Sequence, residues 1–500
     1  MTTNPGAGGS GEGRCGDVRL ALLLAIAAFA VLRVAALTRY PLWTDETWTL
    51  DATSADLRRM LRAFADDQTH PPLFYALLWT WRQVVPETLA WLRLLPALIG
   101  IATGGALLML ARRAGFTTRA TTLAVILAAG SAMLVAYSAE LRSYALLALL
   151  GVVSLAAWLR ARERAGLEGI AALTAVNILL VWTHYFGVFV VVAEWCDAAF
   201  RARRRAAAMT ASAVLAVASL APWAAYVVHR AGITGDRLGM VAWLRPPRPG
   251  DLLDVPLSAI GGSPWLALDL AVVVSAGAAI SLWAWRTRNA APPAIGLLAL
   301  AVLVPCAIAY VESVTGPKPM WLDRYLIATV PPVLLLLAGA LDGLAPRTIA
   351  GTVAVLALAL VPAGFTAGSL ARGRERPRFD LVWAAVLARD PDPRVPVLAG
   401  DAVEGRPLLY TGRLTGPGQR PVTVLAPGDV RTDSGWYVWS EAHPPAGWPP
   451  PAVFIRDGYR ITETIGIPAA RDSIAAVRIV RRPPGAATPR APAAPSAGPR

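Results

Sequence analysis

The sequence predicts a polytopic α-helical membrane protein that carries a small C-terminal α/β domain. Of its 500 residues, 55% are hydrophobic and 16% are charged, and the mean hydropathy is +0.49, whereas a soluble chain averages about 25% charged residues. Eleven apolar segments approach the length of about 20 residues that a membrane-spanning helix requires. After residue 370, short β-rich runs replace the long apolar segments.

The first apolar segment follows Arg14 and Arg19, as the core of a signal sequence would, but it is long enough to span. We therefore interpret it as an uncleaved first helix. Two later segments are separated only by His184, which predicts a tight helical hairpin whose connection lies inside the protein rather than in lipid. The eleven candidate spans are 18–38, 91–111, 118–137, 142–160, 168–183, 185–200, 207–228, 265–285, 293–312, 324–342 and 348–368.

Arginine clusters decide the orientation of these spans, because basic connections stay on the cytoplasmic face of a bilayer. All of the clusters share one side with Arg14 and Arg19 if the short apolar stretch 72–85 does not cross. We therefore predict a helix at 72–85 on the outer face, a cytoplasmic N-terminus and eleven spans. The alternative is that 72–85 spans and a further helix lies elsewhere. The clusters are at 112–119, 160–164, 201–205 and 286–288.

Net charge and cysteine content argue against nucleic-acid binding and against cysteine-based sites. The formal net charge of +14 comes from these basic connections, so it does not indicate nucleic-acid binding. The three cysteines, Cys15, Cys196 and Cys306, lie in the N-terminal tail and in apolar runs, so no disulfide framework or thiolate metal site is indicated. The high content of Ala, Arg, Pro and Gly is typical of a GC-rich bacterial genome, which favours the plasma membrane of a bacterium.

The C-terminal α/β domain is predicted over residues 371–482, after a membrane domain at 18–370 that includes an outer-face loop at 39–90. Its run FDLVWAAVLARD has the pattern of an amphipathic helix. The odd number of spans makes this domain extracytoplasmic. The Gly-rich residues 1–17 and the Pro/Ala-rich residues 483–500 are predicted to be disordered. The β-rich runs of the domain are VPVLAG, PVTVLA, GWYVWS, YRITETIGI and IAAVRIVRR.

Separate loops deliver polar and ionisable side chains to the predicted outer face. Such groups at helix ends that face a bundle interior are costly and tend to be functional. Their joint occurrence indicates a site more strongly than any single residue does. The candidates are Asp45, Glu46, His70, Glu140, Arg142, Tyr144, His184, Tyr185, Lys318, Asp323, Arg324 and Tyr325.

Each candidate also has a structural interpretation when taken singly. The two acids after the first span fit a solvated loop, and the histidine before two prolines fits a turn. Glu140 and Arg142 fit an ion pair at the membrane boundary. His184 fits a satisfied interfacial histidine, since no second histidine stands at ligand spacing. Lys318 and Arg324 fit cations that extend along apolar surface to reach water.

Five motifs together resemble bacterial membrane glycosyltransferases of the GT-C superfamily. The similarity is to the protein O-mannosyltransferase-like and aminoarabinose-transferase-like members, known as family 39, and it covers roughly residues 18–345. The acidic pair after the first span, together with His-Pro-Pro, is the most specific part. The motifs are LWTDETWTL, THPPLFYALLWTW, AELRSYALLAL, THYFG and DRYLIATVPPVLLL.

The resemblance implies an inverting transfer of mannose or a similar sugar from a polyprenyl-phosphate donor to an extracytoplasmic hydroxyl of a protein, lipid or polysaccharide. It implies that Asp45 is the general base and that Glu46 orients the acceptor or the base. Arg142, Lys318 and Arg324 are candidates for binding the departing phosphate, because cations around it lower the barrier. Candidates for the substrate pocket are His70, Glu140, Tyr144, His184, Tyr185, Asp323 and Tyr325.

The chain departs from this family in two respects. Aminoarabinose-transferase-like members have Lys-Pro-Pro where this chain has His70-Pro71-Pro72, so a lysine contact to phosphate is missing there. The larger luminal insert of the mannosyltransferases is also missing, so the sugar and acceptor stay open. No metal ligand set is evident, and the chemistry is predicted to need neither metal nor cofactor. The alternatives are a transporter or flippase of a lipid-linked or anionic substrate and a non-catalytic scaffold.

Overall fold

The computed structural model contains a helical unit and a second unit built on a five-stranded sheet. The first, here named the membrane unit, comprises Met1–Thr38, Asp51–Pro86 and Ala90–Ala371. The second, the C-terminal unit, comprises Arg39–Leu50, Glu87–Leu89 and Arg372–Arg500. The structure describes residues 10–163, 166–201, 205–235, 244–260, 266–286, 294–344, 378–399, 402–415, 422–424, 432–440, 454–455, 458–467 and 474–483.

The predicted domain limits stay a prediction, and the loop predicted at 39–90 is divided between the two units. Two of its segments belong to the C-terminal unit rather than to the membrane unit. Within that unit, Arg413 forms an ion pair with Glu87 at 3.1 Å. Such a contact joins residues that lie far apart in the chain, so a pattern of local hydropathy does not reveal it.

Helices account for most of the described chain between residues 10 and 344. A 3₁₀ helix at Pro249–Leu253 and another at Asp323–Thr329 complete the set. The α-helices are α1 Ser10–Ala36, α2 Thr44–Ala52, α3 Leu57–Asp67, α4 Leu73–Arg82, α5 Leu89–Arg113, α6 Thr118–Gly130, α7 Ala132–Ser138, α8 Tyr144–Glu163, α9 Leu167–Thr183, α10 Gly187–Arg201, α11 Ala206–Ala218, α12 Ala221–Thr234, α13 Asp254–Ile260, α14 Leu266–Arg286, α15 Ile295–Thr315 and α16 Val330–Leu344.

Within the described residues, five helices are long and apolar enough to cross a membrane, and α6 with α7 makes a sixth span if this bent pair is counted as one. Helices lie at the predicted spans, except that 348–368 is outside the described residues. The predicted fold class is confirmed, while the number of eleven spans stays a prediction. Three of the five helices are Leu89–Arg113, Tyr144–Glu163 and Ile295–Thr315. The fourth, Ala206–Thr234, joins α11 and α12, and the fifth, Asp323–Leu344, joins the second 3₁₀ helix and α16.

Two helix boundaries refine the sequence-based picture. Helix α1 begins at Ser10, so residues 10–17, which were predicted to be part of a disordered tail, are helical. A helix that has nucleated in an apolar segment gains one hydrogen bond for each residue added, which favours such extension. The stretch 72–85 contains α4, which has ten residues. At 1.5 Å per residue it is about 15 Å long, half the thickness of a hydrocarbon core.

A ring of three polar side chains joins helices α8, α9 and α10 inside the membrane unit. Ser154 Oγ lies 2.5 Å from Asn177 Oδ1 and 2.5 Å from Glu194 Oε1, and Asn177 Nδ2 donates to Glu194 Oε2 at 2.9 Å. Each of these three contacts requires one proton. The serine hydroxyl and the amide supply one each, so the third must come from Glu194. The ring therefore closes when Glu194 is a neutral carboxylic acid, as suits a group inside a bundle.

The C-terminal unit contains the predicted sheet, with strand order β2-β1-β3-β5-β4. Strand β1 is parallel to β2 and β3, whereas β5 is antiparallel to β3 and β4. The predicted helix is present as α17 Phe379–Arg389, but α18 Ala402–Thr415 was not predicted. Its internal Pro407 and glycines had indicated turns. The strands are β1 Val397–Ala399, β2 Val422–Val424, β3 Ser434–Ser440, β4 Tyr459–Ile467 and β5 Ile474–Arg481.

Candidate functional site

The loop between α3 and α4 positions His70. Helix α3 ends where Gln68 adopts a left-handed conformation with φ 61°, which is uncommon for a residue other than glycine. The Gln68 side chain donates to the carbonyl of Gly235 at 3.1 Å, which anchors the turn. Thr69 Oγ lies 2.7 Å from His70 Nδ1 and also contacts Asp67 Oδ2. His70 is consequently held almost completely buried instead of extending into solvent.

The connection between α7 and α8 supplies Glu140, Arg142 and Tyr144. All three side chains are buried. The turn is tight, because the Arg142 N–H donates to the Glu140 carbonyl at 2.8 Å. Arg142 Nη2 lies 3.5 Å from His70 Nδ1 and 3.4 Å from His70 Nε2. The guanidinium group therefore approaches both nitrogens of the ring at nearly equal distances.

The predicted hairpin around His184 is present between α9 and α10. A Cβ atom on Gly187 would lie 2.7 Å from the carbonyl oxygen of Leu180, so the close turn depends on glycine. His184 is 2% exposed, and its Nδ1 accepts a hydrogen bond from the Phe186 N–H at 3.2 Å. In the neutral ring the proton must then be on Nε2. This Nε2 atom has no hydrogen-bond partner in the described part of the chain.

Burial and charge keep His184 neutral. Desolvation lowers the pKa of His184 well below its ordinary value of 6.5, and the charges of His70, Arg142 and Arg324 lower it further. The cationic form would require a second proton in a buried site beside two guanidinium groups. His184 therefore presents one N–H donor and no net charge to the interior of the cluster.

The 3₁₀ helix at Asp323–Thr329 contributes the last members of the group. Arg324 Cζ lies 5.9 Å from the ring centroids of both Tyr144 and Tyr325. This is within the range of cation–π attraction, which orients a guanidinium over aromatic faces. The Asp323 carboxylate accepts from Ser258 Oγ at 2.9 Å and from the Arg324 N–H at 2.7 Å. Asp323 thus fixes the start of the 3₁₀ helix.

Side chains from these four segments form one group, here named the histidine cluster. The ring centroids of His70 and His184 are 5.1 Å apart, and those of His184 and Tyr325 are also 5.1 Å apart. Tyr144 lies 6.0 Å from His184 and 6.2 Å from Tyr325. The cluster consists of Asp67, His70, Arg142, Tyr144, His184, Arg324 and Tyr325.

Asp67 places one carboxylate at the edge of the histidine cluster. Burial raises the pKa of Asp67, whereas the Thr69 hydrogen bond and the charge of Arg142 oppose that rise. Asp67 Oδ2 is 3.9 Å from His70 Nδ1. The histidine cluster thus combines the buried Arg142, the half-buried Arg324 and one carboxylate, an arrangement suited to an anionic ligand.

Three further predicted site residues, Tyr185, Lys318 and Glu140, are not assigned to the histidine cluster. Tyr185 accepts a hydrogen bond from Trp223 Nε1 at 3.1 Å, and this contact directs its hydroxyl to α12. Lys318 is half-buried in the segment between α15 and the 3₁₀ helix. Glu140 is completely buried in the α7–α8 connection beside Arg142. The assignments of these residues to the phosphate and the pocket stay predictions.

Asp45 and Glu46 belong to the C-terminal unit, whereas the histidine cluster belongs to the membrane unit. The two acids are in the first turn of helix α2 rather than in a loop. The Glu46 N–H bonds the Trp43 carbonyl at 3.0 Å, and the helix therefore starts immediately before the acidic pair. Carboxylates in the first turn complement the partial positive charge of a helix N-terminus. Asp45 is half-buried and Glu46 is completely buried.

Sequence reasoning missed Asp67, Thr69 and Ser143. A signal existed for the first two, because Asp67 stands three residues before His70 and Thr69 is adjacent to it. Ser143 is completely buried, and its Oγ has no hydrogen-bond partner within the described residues. Its position between Arg142 and Tyr144 was the only sequence signal.

No protein-family model matches the sequence. No curated protein matches it either. Among solved structures, ArnT from Cupriavidus metallidurans in the apo state gives a TM-score of 0.60 at 15% identity, over 93% of this chain and 98% of ArnT. ArnT bound to undecaprenyl phosphate gives 0.57 at 16% identity, over 91% of this chain and 97% of ArnT. The similarity extends over nearly the whole length of both chains, so this chain has the fold of ArnT.

A more distant similarity is to the archaeal oligosaccharyltransferase AglB from Archaeoglobus fulgidus, in complex with an inhibitory peptide and a dolichol-phosphate. The TM-score is 0.44 at 13% identity, over 78% of this chain and 63% of AglB. That score is too low to support an argument about this chain.

Proposed function

We propose that this chain is a glycosyltransferase that moves a sugar from a polyprenyl-phosphate donor to a hydroxyl acceptor outside the cytoplasm of a bacterium. The observation that carries the proposal is the histidine cluster. It holds a buried N–H donor, on His184, that has no partner among the described residues, in the same region as the guanidinium groups of Arg142 and Arg324. The ArnT-like fold supports the proposal, since ArnT was crystallised with undecaprenyl phosphate.

The chemistry of the histidine cluster fits a lipid-linked phosphate. Arginine binds phosphate through paired N–H donors, and each such charge-assisted hydrogen bond is stronger than a neutral one. His184 adds a neutral donor, which stabilises phosphate oxygens without adding a further buried charge. The tyrosines and Phe186 around the cations supply an apolar wall. A dry wall strengthens the attraction between cation and phosphate.

The reaction is a single displacement. The acceptor oxygen attacks the anomeric carbon of the sugar while the bond from that carbon to the phosphate oxygen breaks. The acceptor proton moves to a carboxylate, and both electrons of the broken bond leave with the phosphate. Arg142 and Arg324 stabilise the charge that develops on the departing phosphate. Lys318 is a further candidate for this role.

We assign the general base to Asp45 on the strength of the sequence resemblance, with Glu46 orienting the acceptor or the base. The position of both in the first turn of α2 gives them a rigid helical support. The sugar is mannose or another sugar carried by polyprenyl phosphate, and the acceptor is a protein, lipid or polysaccharide of the cell envelope. We further propose that the N-terminus is cytoplasmic and the C-terminal domain extracytoplasmic.

The test uses purified full-length protein with a panel of radiolabelled polyprenyl-phosphate sugars and cell-envelope acceptors. We expect Asp45→Asn to reduce transfer by about 10²- to 10⁴-fold, the usual contribution of a general base, while polyprenyl-phosphate binding stays intact. Asp51→Asn, an exposed acid on the same helix, is the matched control and should retain transfer. Arg142→Gln should weaken binding of polyprenyl phosphate by about tenfold or more, since a charged hydrogen bond contributes about 1.5–3 kcal/mol.

Two results would contradict the proposal. Undiminished transfer by Asp45→Asn would remove that residue from the role of base. Movement of the lipid-linked substrate across vesicles without any transfer would identify a flippase or transporter instead.

A further inference from the structure

Arg33 is a completely buried cation within helix α1, in the first predicted span. Within the described part of the chain it forms no ion pair. A charged side chain inside a membrane protein is costly unless its donors are satisfied, and such residues tend to have a function. Neither the histidine cluster nor the proposed reaction uses Arg33 directly.

The guanidinium group of Arg33 binds backbone carbonyls instead of a carboxylate. Nη2 donates to the Ala128 carbonyl at 2.9 Å, and Nη1 donates to the carbonyls of Ala129 and Phe29 at 3.2 Å each. The Cζ atom is 3.5 Å from the centroid of the Phe29 ring. Two of the three hydrogen bonds thus reach helix α6, which lies far away in the sequence.

Ala128 and Ala129 occupy the last turn of α6, directly before a break. Helix α6 ends at Gly130, and α7 begins at Ala132 with its axis turned by 59°. The last carbonyls of a helix have no partner within that helix, and lipid offers them none. Arg33 supplies the missing donors, and its positive charge complements the negative end of the α6 dipole.

The direction of α7 determines where the following residues of the histidine cluster emerge. Helix α7 ends at Ser138, and Arg142 follows after a short turn. A Cβ atom on Gly100 would lie 2.2 Å from Ser138 Oγ, so a glycine on α5 gives α7 room to pack closely. A straight helix through 118–138 would satisfy its own carbonyls and would direct Arg142 elsewhere.

We propose that Arg33 is a positioning residue, which holds the α6–α7 break open and thereby places Arg142 in the histidine cluster. Arg33 acts through Arg142 and does not touch the donor. The inference rests on the proposed function insofar as Arg142 binds phosphate.

The experiment measures binding of polyprenyl monophosphate to the full chain and backbone hydrogen exchange over residues 130–138. We expect Arg33→Gln to weaken binding by about tenfold and to speed exchange in α7, because carbonyls at the break lose their donors. Arg33→Lys should recover part of both effects, since an ammonium group supplies some of the donors. In the double variant with Arg142→Gln, Arg33→Gln should add no further loss of binding.

A control separates positioning from general destabilisation. Glu194→Leu disrupts the polar ring of α8, α9 and α10, away from the break, and should leave both binding and α7 exchange unchanged. The proposal is overturned if Arg33→Gln leaves exchange in α7 at the native rate, or if its effect on binding multiplies with that of Arg142→Gln. If the native chain binds no polyprenyl phosphate, the proposed function fails, whereas the exchange measurement still decides whether Arg33 holds the break.

Discussion

The polar ring of Ser154, Asn177 and Glu194 and the histidine cluster are both buried in the helical membrane unit. In the ring, three contacts use three protons, and each side chain bonds the other two. In the cluster, the Nε2 proton of His184 has no partner among the described residues. The ring is neutral, because Glu194 retains its proton, whereas the cluster contains the positive charges of Arg142 and Arg324.

This difference supports a structural role for the ring and the binding role proposed for the cluster. A fully satisfied buried network fixes the packing of the helices that it joins. A buried donor without a partner lowers stability by the free energy of its desolvation. A ligand that accepts a hydrogen bond from such a donor offsets that cost, which supports the binding role proposed for the cluster, whereas the closed ring suits a structural role. The same comparison predicts opposite effects of substitution in the two groups.

Between the cluster and the ring, the largest effect is expected from His184→Asn. The asparagine oxygen can replace Nδ1 as acceptor for the Phe186 N–H, but the donor at the Nε2 position is lost. A hydrogen bond to a charged group contributes about 1.5–3 kcal/mol, so transfer should fall by roughly 10- to 100-fold. The midpoint of thermal unfolding should change little, because the hydrogen bond from the Phe186 N–H is kept and Nε2 has no partner to lose among the described residues.

His184→Gln is the matched control, since its amide nitrogen reaches the Nε2 position and restores a donor. It should retain more transfer than His184→Asn. Equal activity of the two variants would show that the Nε2 donor does not bind substrate. A fall in the stability of both variants would instead indicate that His184 has a structural role, as the ring does.

Substitution in the ring is expected to have a smaller effect, and to change stability rather than transfer. Glu194→Leu leaves the amide of Asn177 without its acceptor, which should lower the free energy of unfolding by about 1–3 kcal/mol. Transfer per folded molecule should be native. Glu194→Gln can close the ring again, because its amide supplies the third proton.

Infrared spectroscopy tests the protonation of Glu194 directly. A carbonyl stretch of a protonated carboxyl group should be present in the native protein and missing in Glu194→Gln. If that band is not found, Glu194 is ionised and the proton count of the ring is wrong. Thermal unfolding of the native protein, Glu194→Leu and Glu194→Gln in the same detergent compares their stabilities.

Much of the fold follows from sequence pattern. Apolar length identified the helical segments, and alternation of short β-rich runs with turn residues identified the strands of the C-terminal sheet. Helix α18 was missed, because Pro407 and two glycines indicate turns locally, while packing of Leu408 into the core of the unit stabilises a helix. Tertiary packing outweighs local propensity at such places.

The sequence motifs predicted several members of the histidine cluster but not the contacts between them. His70, Arg142, His184 and Tyr325 were identified from motifs, and the structure brings them together. The role of Arg33 could not be inferred, because its partners are carbonyls at a break 95 residues further along the chain. A backbone carbonyl has no sequence signature. The assignment of Asp45 to another unit likewise depends on contacts over long separations.

The smallest expected effect concerns pH and again separates the two groups. The pKa of His184 is lowered in the folded protein below its ordinary value of 6.5. Between the two values the unfolded chain binds more protons than the folded chain, so stability falls as pH decreases through about 6.5. One proton corresponds to at most about 1.4 kcal/mol per pH unit. His184→Gln should lose this slope between pH 7 and pH 5.

Asp67 contributes with the opposite sign. Its pKa is raised above 3.8, so its contribution to stability falls as pH increases above that value. Subtracting the pH dependence of stability of His184→Gln from that of the native protein removes the contribution of Asp67, because both proteins contain this residue. Glu194 contributes with the same sign as Asp67, because the folded ring retains a proton that an unfolded glutamate releases over this range. Glu194→Gln should therefore make stability fall more steeply than in the native protein as pH decreases. If the stabilities of the native protein and of His184→Gln change in parallel between pH 7 and pH 5, His184 is not a titrating group, and the distinction between open cluster and closed ring loses this support.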